Sequence, residues 1–265
     1  MRIATWNVNS VGARLPRLLD WLRDTAPDAV CLQETKCAQA DFPHDEVGAL
    51  GYEVAAHGDG RWNGVAILSR VGLADAATGL ADEPGYPDPE ARAVAATCGG
   101  VRLWSVYVPN GREPGHDHYS YKLQWLAALR TTVAADLATS PRLAVMGDFN
   151  VAPNDDDVWD PAAFAQSTHV TPPERAALES LRAAGLVDVV PRPMKYDRPY
   201  TYWDYRAGMF HKNMGMRIDL VYATPLVAGS VRDAYVDRDA RKGKWPSDHA
   251  PVIVDLDLPG SAGAV

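Results

Sequence analysis

Short apolar runs separated by polar segments recur along the 265-residue chain and predict alternating strands and helices. Predicted strands, rich in aliphatic and β-branched residues, cover Arg2–Trp6, Ala29–Leu32, Val65–Leu68, Val101–Val108, Leu143–Met146, Arg217–Tyr222 and Val252–Leu256. Apolar residues at helical spacing predict helices over Leu15–Leu22, Ser120–Leu137 and Glu174–Ala184. With no internal repeat and no linker-like segment, this alternation predicts one α/β domain over residues 1–258 and a short tail over residues 259–265.

Composition narrows the class of protein. Hydrophobic residues make up 47% of the chain, enough for a sizeable core. No apolar run approaches the roughly 18 residues that cross a bilayer, and the first residues lack the pattern of a signal peptide. We therefore expect a soluble, cytoplasmic protein with no membrane partner. Three cysteines without a CxxC pair argue against a disulfide framework, and Cys31 in an apolar run is expected to be a buried thiol.

Charge is unevenly distributed along the chain. The net charge of −8 argues at first against a nucleic-acid partner. The segment from Arg192 to Lys244, however, contains eleven Lys and Arg and six Asp, which gives it a formal charge of +5. The rest of the chain therefore carries a formal charge of −13. A locally basic surface is therefore compatible with the negative net charge of the protein.

Polar residues follow the predicted strands at the points where the apolar runs stop. They are Asn7, Glu34, Asn110, Asp148 with Asn150, and Asp248-His249 just before the last strand. Ligands of α/β proteins gather at strand ends, so these side chains are expected to converge. Carboxylate and amide oxygens suit Mg²⁺, whereas the lack of cysteine and the scarcity of histidine argue against zinc.

Each of these residues alone has an ordinary alternative explanation, as a turn residue, a helix cap or a solvated carboxylate. Asp219 is different, because it lies between Ile218 and Leu220 in a predicted strand, where an unpaired carboxylate is costly. His249 is the expected partner, since a carboxylate orients a histidine ring and favours its protonated form. A purely structural buried ion pair is the alternative.

The motifs together resemble the endonuclease/exonuclease/phosphatase superfamily. The matching segments are Trp6-Asn7-Val8-Asn9, Gln33-Glu34-Thr35-Lys36, Tyr107-Val108-Pro109-Asn110, Gly147-Asp148-Phe149-Asn150 and Ser247-Asp248-His249. Asn213-x-Gly215-x-Arg217-Ile218-Asp219-Leu220 is similar to the exonuclease III branch of abasic-site endonucleases. The resemblance implies a four-layer α/β sandwich in which two mainly antiparallel or mixed β-sheets pack face to face with helices outside.

The resemblance also implies roles for individual residues. The implied metal-binding residues are Asn7, Glu34, Asp148, Asn150 and Asp248. The implied catalytic residues are Tyr107, Asp148, Asn150, Asp219 and His249, with Tyr107 and His249 donating to phosphate oxygens and Asp219 holding the His249 ring. Two departures put details in doubt: Asn9 stands where some relatives have an acidic residue, and Met216 where some have an aromatic one.

A segment of interleaved aromatic and basic residues precedes Asp219 and favours contact with DNA. The predicted substrate-binding residues are Asn110, Arg112, Lys122, Tyr202, Trp203, Arg206, Lys212, Met216 and Ile218. Of these, Tyr202, Trp203, Met216 and Ile218 are predicted to line a pocket for an extruded sugar. The alternatives are a cluster at the edge of the core for the aromatic residues and a solvated surface for the basic ones.

The activity implied by the resemblance is a Mg²⁺-dependent (Mn²⁺ as substitute) DNA phosphodiesterase of base-excision repair. It would cut the backbone 5′ to abasic sites, leave a 3′-hydroxyl, and act as a 3′→5′ exonuclease that also cleans 3′ ends. The expected partner is double-stranded DNA with abasic sites or 3′ ends, and the expected state is a monomer. Two alternatives stay open: a phosphatase acting on inositol phosphates or phospholipid head groups, and a non-catalytic binding module with the same fold.

Overall fold

The computed structural model describes residues 1–258, within which the chain forms twelve β-strands and six α-helices. The strands are β1 (Arg2–Asn7), β2 (Ala29–Gln33), β3 (Glu53–His57), β4 (Val65–Ser69), β5 (Ala74–Thr78), β6 (Ala93–Cys98), β7 (Val101–Tyr107), β8 (Leu143–Asp148), β9 (Val187–Asp188), β10 (Asp219–Ala223), β11 (Val231–Val236) and β12 (Val252–Leu256). The helices are α1 (Val11–Thr25), α2 (His44–Gly48), α3 (Asp117–Leu137), α4 (Pro172–Ala183), α5 (Met209–Lys212) and α6 (Pro225–Ala228).

The strands form two mixed sheets of six. The order of the first sheet is β11-β12-β1-β2-β4-β3, and that of the second is β5-β6-β7-β8-β10-β9. Each sheet contains one parallel pair near its centre, β1 with β2 and β7 with β8, and its other pairs are antiparallel. The carboxyl ends of β1 and β2 therefore lie together, as do those of β7 and β8.

Alternating side chains divide the hydrophobic residues into layers. In β1, Ile3 packs between the two sheets, against residues such as Met146 and Val221 of the second sheet. Ala4 and Trp6 point the other way, into a cluster with residues of α1 and α2. The outer face of the second sheet packs on α3 and α4. This arrangement is the predicted four-layer sandwich, which is confirmed.

Most predicted elements are present with shifts of a few residues at their ends. The strand predicted from Arg217 begins instead at Asp219, because Arg217 is buried in ion pairs with Asp157 and Asp188. Strands β3, β5, β6, β9 and β11 were not predicted, and β5 is exposed along its whole length. Cys31 is fully buried, as expected.

The domain boundaries and the absence of a membrane-spanning helix were also predicted. The single domain over residues 1–258 stays a prediction, and the tail over residues 259–265 lies outside the described residues. Within residues 1–258, no helix combines the length and the apolar character needed to cross a membrane.

A glycine allows the parallel strands β7 and β8 to meet beside the carboxyl end of β8. Gly147 pairs with Val106, and a Cβ atom at this position would lie 1.9 Å from the carbonyl oxygen of Val106. No side chain fits at that separation, because backbone lies on the other side. The residue before Asp148 must therefore be glycine.

Gly147→Ala is expected to lower the free energy of unfolding by at least about 1–3 kcal/mol, the typical cost of forcing extra atoms into a packed site. Gly12→Ala in α1 is the matched control, since a Cβ atom added there would meet no neighbouring atom within 4 Å. That change is expected to stabilise the protein by about 0.5–1 kcal/mol through helix propensity. Urea unfolding measures both, and a Gly147→Ala variant as stable as wild type would contradict the steric argument.

Candidate active site

The polar residues predicted at strand ends lie together along one edge of the two sheets. In the first sheet Asn7 ends β1 beside Gln33, the last residue of β2. In the second sheet Tyr107 and Asp148 end their strands as register partners, and Asp219 opposite Asp148 begins β10. The strand registers thus bring three of the predicted catalytic residues into one row.

Asn7 joins the two sheets at this edge. Its Nδ2 donates to Glu34 Oε1 at 2.8 Å and to Asp148 Oδ2 at 3.0 Å. Its main-chain oxygen accepts a hydrogen bond from Ser247 Oγ at 2.7 Å. Asn7 is fully buried, so these bonds hold the two carboxylates close to each other.

His249 contacts both buried aspartates of the row. Its Nδ1 lies 2.8 Å from Asp219 Oδ2 and its Nε2 lies 3.8 Å from Asp148 Oδ2. Burial alone would lower the pKa of His249, but the charges of Asp219 and Asp148 outweigh it and raise the pKa to about 10. The raised pKa favours a protonated ring, in which Nδ1 donates to Asp219 and Nε2 carries a proton towards Asp148. The predicted pairing of Asp219 with His249 is present.

Asp148 titrates near neutral pH. Burial raises its pKa, with Asp219 and Glu34 adding to the effect and His249 opposing it, and the resulting value is about 7. Its Oδ1 accepts a hydrogen bond from the main-chain N–H of Asn150 at 2.9 Å. A carboxyl group with a pKa close to the working pH is suited to proton transfer.

Beside Asp148, the pKa shifts favour a protonated, neutral Tyr107 and a deprotonated Glu34. Burial, with the negative charge of Glu34, raises the pKa of the Tyr107 hydroxyl well above its usual range, so the phenol keeps its proton. For Glu34, burial is outweighed by Lys36 and by the hydrogen bond from Asn7, which lower its pKa. The site therefore offers a phenolic donor and a carboxylate whose lowered pKa favours the charged form.

Several of these side chains depend on strained backbone. Non-glycine residues in the left-handed region cluster around the site: Asn9, Ser10, Glu34, Lys36 and Asn150, with φ between 46° and 85°. Such conformations persist only where surrounding contacts determine them. For Asn150 these contacts include its Nδ2 donating to Val108 O at 3.0 Å and its Oδ1 accepting from Asn110 Nδ2 at 3.2 Å.

Lys122, predicted to contact DNA, is a correction. Its side chain is fully buried and forms an ion pair with Glu174. The ammonium also donates to the carbonyl oxygens of Asn150 at 2.7 Å and of Asn110 at 3.2 Å. A buried ammonium persists only when it is paired and hydrogen-bonded, and here it supports the two asparagine turns from below.

Asp248 and Asn9 belong to a chain of polar contacts that leads to Glu34. Asn9 Nδ2 donates to Asp248 Oδ1 at 3.0 Å, and Asn9 Oδ1 accepts from Lys36 Nζ at 2.6 Å. Lys36 in turn contacts Glu34 Oε2 at 2.7 Å. Asp248 therefore reaches Glu34 through Asn9 and Lys36, and its predicted role as a metal ligand stays a prediction.

The predicted sugar pocket is only partly assembled. Met216 and Ile218 share an apolar cluster with Ala152 and Val158, and Tyr202 packs against it. The Tyr202 ring also lies 4.9 Å from the His249 ring. Met216 is 6% exposed and Ile218 2%, so this cluster is closed over by its neighbours.

Trp203 is a second correction to the predicted pocket. It is 1% exposed and belongs to the core between the two sheets, on the opposite side of the chain from Tyr202. Its Nε1 donates to Asn213 Oδ1 at 3.3 Å. Adjacent residues in extended chain point in opposite directions, so Tyr202 and Trp203 do not line one pocket.

The basic residues predicted at the substrate surface are exposed. Arg206 is bound to Asp204 in a surface ion pair, which neutralises part of its charge. Lys212 ends α5 and is exposed. Arg112 is exposed beside Asn110, whose Oδ1 accepts from the Arg112 N–H at 3.1 Å. Their contacts with DNA stay predictions.

The donor set of the site fits a divalent cation. Glu34, Asp148 and His249 each present an atom within 4.8 Å of the others. Because the pKa of His249 is raised, its ring is not free to bind a metal, and the oxygens of Glu34 and Asp148 are the candidate ligands. A cation there would offset the burial and the carboxylate repulsion that raise the pKa of Asp148. Hard oxygens in a buried pair suit Mg²⁺. Asn7 presents Nδ2 to both carboxylates, so ligation through its Oδ1 requires rotation of the amide.

Three residues that act through others were not predicted from the sequence. Thr201 Oγ1 accepts the N–H of Asp219 at 3.1 Å, Lys36 pairs with Glu34, and Glu174 pairs with Lys122. Only Glu174 carried a signal, because Thr171-Pro-Pro-Glu174 is a capping-box pattern and α4 uses it. That pattern predicts a helix start and says nothing of the buried lysine.

Residues 4–249 match the Endonuclease/Exonuclease/phosphatase family, and the chain belongs to that family. A curated relative, the DNA repair nuclease APEX1 of Danio rerio, is 31% identical over 97% of this chain and 82% of its own length.

Solved structures narrow the placement within the family. The 3′-5′ exonuclease NExo from Neisseria meningitidis is 39% identical, with a TM-score of 0.92 over 97% of this chain and 100% of that one. A structure of NExo described as a 3′ phosphatase bound to a product DNA hairpin has a TM-score of 0.93, at 38% identity over 97% of this chain and 100% of that one. An AP endonuclease from Archaeoglobus fulgidus is 34% identical, with a TM-score of 0.90 over 97% and 100%. The predicted resemblance to exonuclease III-type nucleases is confirmed.

The Lys122–Glu174 pair is expected to make stability depend on pH. Burial would raise the pKa of Glu174, but the charge and hydrogen bond of Lys122 outweigh it and lower the pKa to about 2. A carboxylate whose pKa is lowered on folding stabilises the protein above its unfolded pKa, and that contribution is lost as the pH falls towards 2. At about 1.4 kcal/mol per pKa unit, the Glu174 side of the pair contributes about 3 kcal/mol at neutral pH, and burial of Lys122, which lowers the pKa of that ammonium, reduces the net contribution of the pair.

Glu174→Gln is therefore expected to lose about 3–5 kcal/mol of unfolding free energy at pH 7, since the Lys122 ammonium is left buried without its partner. The deficit relative to wild type shrinks between pH 4.5 and 2. Glu179→Gln, in an exposed ion pair with Arg182, is the control and costs about 1 kcal/mol or less. Denaturant unfolding across pH measures both; a deficit that does not vary with pH would be inconsistent with the lowered pKa of Glu174.

Proposed function

We propose that this protein is a metal-dependent DNA repair nuclease that cleaves the phosphodiester backbone 5′ to abasic sites, leaves a 3′-hydroxyl and processes 3′ ends. The observation that carries the proposal is the charge arrangement at the strand ends. A protonated His249 and a protonated Tyr107 stand beside Asp148, with the paired carboxylate of Glu34 next to them. This combination favours the hydrolysis of a phosphoester rather than an acyl or glycosyl bond.

The residues divide the work of phosphoryl transfer. His249 Nε2 and the Tyr107 hydroxyl donate hydrogen bonds to phosphate oxygens, where negative charge develops in the transition state. Asp148 lies between the His249 ring and the paired Asn7 and Glu34, where it can move the proton of the attacking water or of the leaving oxygen. Asn150 and Asn110, joined to each other, orient the water and the phosphate. Asp219 keeps the His249 ring in place.

We assign the cofactor as Mg²⁺, with Mn²⁺ as its substitute, bound by Glu34 and Asp148 with Asn7 beside them. When bound, the metal neutralises charge on the phosphate and lowers the cost of forming the nucleophile or the leaving group. The protein is proposed to act as a cytoplasmic monomer.

Three lines of support point to DNA as the substrate. The curated relative is a DNA repair nuclease, and a structure similar to this chain holds a product DNA hairpin. The segment before Asp219 combines Tyr202 with Arg206 and Lys212, which suits contact with phosphates and an unpaired nucleotide. Within the segment Arg192–Lys244, three arginines pair with aspartates outside it, so the electrostatic attraction comes from exposed lysines without an ion-pair partner in residues 1–258, such as Lys212 and Lys244.

A second candidate function is an enzyme restricted to 3′ ends, which removes 3′-terminal phosphates or nucleotides without cutting at internal abasic sites. The specific observation in its favour is the closure of the apolar cluster behind the site, where Met216 and Ile218 are almost fully buried. An extruded abasic sugar needs that space, whereas a 3′-terminal phosphate needs only the polar edge. The names of two similar structures, a 3′-5′ exonuclease and a 3′ phosphatase, agree with this candidate.

The test is one set of substrates with Mg²⁺: a duplex with an internal abasic site, a nicked duplex with a 3′-phosphate, an intact duplex and an inositol phosphate. Analysis of product ends is expected to show cleavage 5′ to the abasic site and removal of the 3′-phosphate. Activity on the 3′-phosphate alone selects the second candidate. Activity on the inositol phosphate alone overturns a DNA function.

Glu34→Gln is expected to keep the fold and to lose most of the activity, because one ligand charge is removed. The loss is partly recovered at high Mg²⁺, since weaker binding is compensated by concentration. Glu46→Gln in the first turn of α2 is the control and leaves the Mg²⁺ dependence unchanged. Full activity of wild type in EDTA would refute the metal requirement.

Asp219→Asn and His249→Asn are each expected to lower kcat severely, at least about 10²-fold on the scale of a general acid–base group. The double variant is little worse than the worse single variant, because the two residues act as one unit. Steady-state kinetics of the three variants measure the coupling. Losses that multiply would mean that Asp219 and His249 act independently.

A further inference from the structure

Trp245 is the most exposed large hydrophobic residue of residues 1–258, with 81% of its surface in contact with solvent. Its indole N–H has no hydrogen-bond partner within that range. A single exposed hydrophobic residue is common at protein surfaces, but tryptophan is among the residues enriched where proteins contact other molecules. None of the steps of phosphoester hydrolysis above uses this residue.

The loop that carries Trp245 is held in place by specific hydrogen bonds. Arg17 donates to three of its carbonyl oxygens, at 2.9 Å to Lys244, 2.7 Å to Lys242 and 2.7 Å to Ala240. The next residue, Pro246, accepts from Tyr205 at 2.8 Å and from Arg14 at 3.4 Å. Trp245 itself has a φ of 57°, a strained conformation for a bulky residue. The tryptophan is therefore presented to solvent by a fixed loop.

The loop leads directly into the active site. Asp248 follows Trp245 by three positions, a distance of at most about 11 Å along the chain. The Tyr205 hydroxyl that binds Pro246 also accepts from Asn9, at 3.4 Å, and Asn9 holds Asp248. Since adjacent base pairs are about 3.4 Å apart along the duplex, a nucleotide near the reacting phosphate lies within reach of the indole.

The charges around Trp245 favour an anionic partner. Lys242, Gly243 and Lys244 before it are all exposed. Lys242 has Asp239 as an ion-pair partner, whereas Lys244 has no carboxylate partner within residues 1–258. An exposed aromatic ring beside an unpaired ammonium is the combination that binds nucleic acid, through stacking on a base and contact with a phosphate.

We propose that Trp245 stacks on a base of the DNA substrate next to the reacting phosphate while Lys244 contacts the backbone, so that this loop positions the DNA strand on the active site. This inference rests on the proposed action on DNA and adds a recognition element to it. The contact holds any base, because every base has an aromatic face, and so it strengthens binding without selecting a sequence.

The experiment measures binding of a fluorescent duplex with a 3′-phosphate at a nick, in EDTA, between about 50 and 200 mM salt. Trp245→Ala is expected to weaken binding about tenfold at every salt concentration without changing the salt slope, since stacking releases no counterion. Trp245→Phe restores most of the affinity. Lys244→Ala instead lowers the slope by about 0.9, the value for one phosphate contact.

Val187→Ala is the matched control, since Val187 is an exposed hydrophobic residue that pairs with Ala223, four residues along β10 from Asp219. It changes neither the affinity nor the slope. In steady-state assays with Mg²⁺, Trp245→Ala is expected to raise KM while kcat stays within about twofold, because the residue lies outside the charged cluster.

Two results overturn the inference alone: wild type binds and cleaves DNA but Trp245→Ala binds equally well, or Trp245→Phe is as weak as Trp245→Ala. A wild-type protein that neither binds nor cleaves any DNA overturns the proposed function and this inference with it. Loss of self-association in Trp245→Ala, measured by sedimentation with DNA affinity unchanged, assigns the tryptophan to a contact between copies and also overturns the inference.

Discussion

The site depends on the electrostatic interaction of a protonated His249 with Asp148 and Asp219. Asp148 and Asp219 are register partners in neighbouring strands, and both are buried. Two carboxylates so placed repel each other where little water screens them. His249 contacts both, at 2.8 Å to Asp219 and 3.8 Å to Asp148, and so makes their proximity possible. In return the aspartates keep the ring protonated, which turns a possible metal ligand into a hydrogen-bond donor for phosphate.

The rest of the fold brings that cluster together and keeps it rigid. Parallel pairing of β7 with β8, which Gly147 permits, sets Tyr107 beside Asp148. Asn7 ties the first sheet to the second through Glu34 and Asp148. Below the cluster, the buried Lys122 holds the turn at Asn150, whose backbone is strained. These contacts are present without substrate, so the charged side chains need to move little during the reaction. Such preorganisation makes electrostatic stabilisation of the transition state effective.

The sequence predicted those features that depend on local pattern. Apolar runs located the central strands, and the residues after each run proved to be neighbours in space. Strand β6 is apolar but half alanine, which has no preference for strands, and β5 is exposed, so only pairing with neighbouring strands defines them. The predicted DNA contact of Lys122 was wrong because its burial depends on a tertiary partner, Glu174. The predicted pocket position of Trp203 was wrong because the direction of its side chain depends on packing in the core between the sheets. The pairing of Asp219 with His249 was predictable, since a carboxylate within an apolar run needs a partner.

Titration of His249 by NMR tests the protonated ring most directly. In wild-type protein labelled with ¹⁵N-histidine and free of divalent metal, the account predicts that both ring nitrogens carry protons at about pH 8 and that the ring titrates near pH 10. In Asp219→Asn the pKa falls, because the largest source of stabilisation for the cation is removed. A His249 ring that titrates near its ordinary value of about 6.5 in the wild-type protein would contradict the account, because a neutral imidazole could neither balance the two aspartates nor donate from both nitrogens.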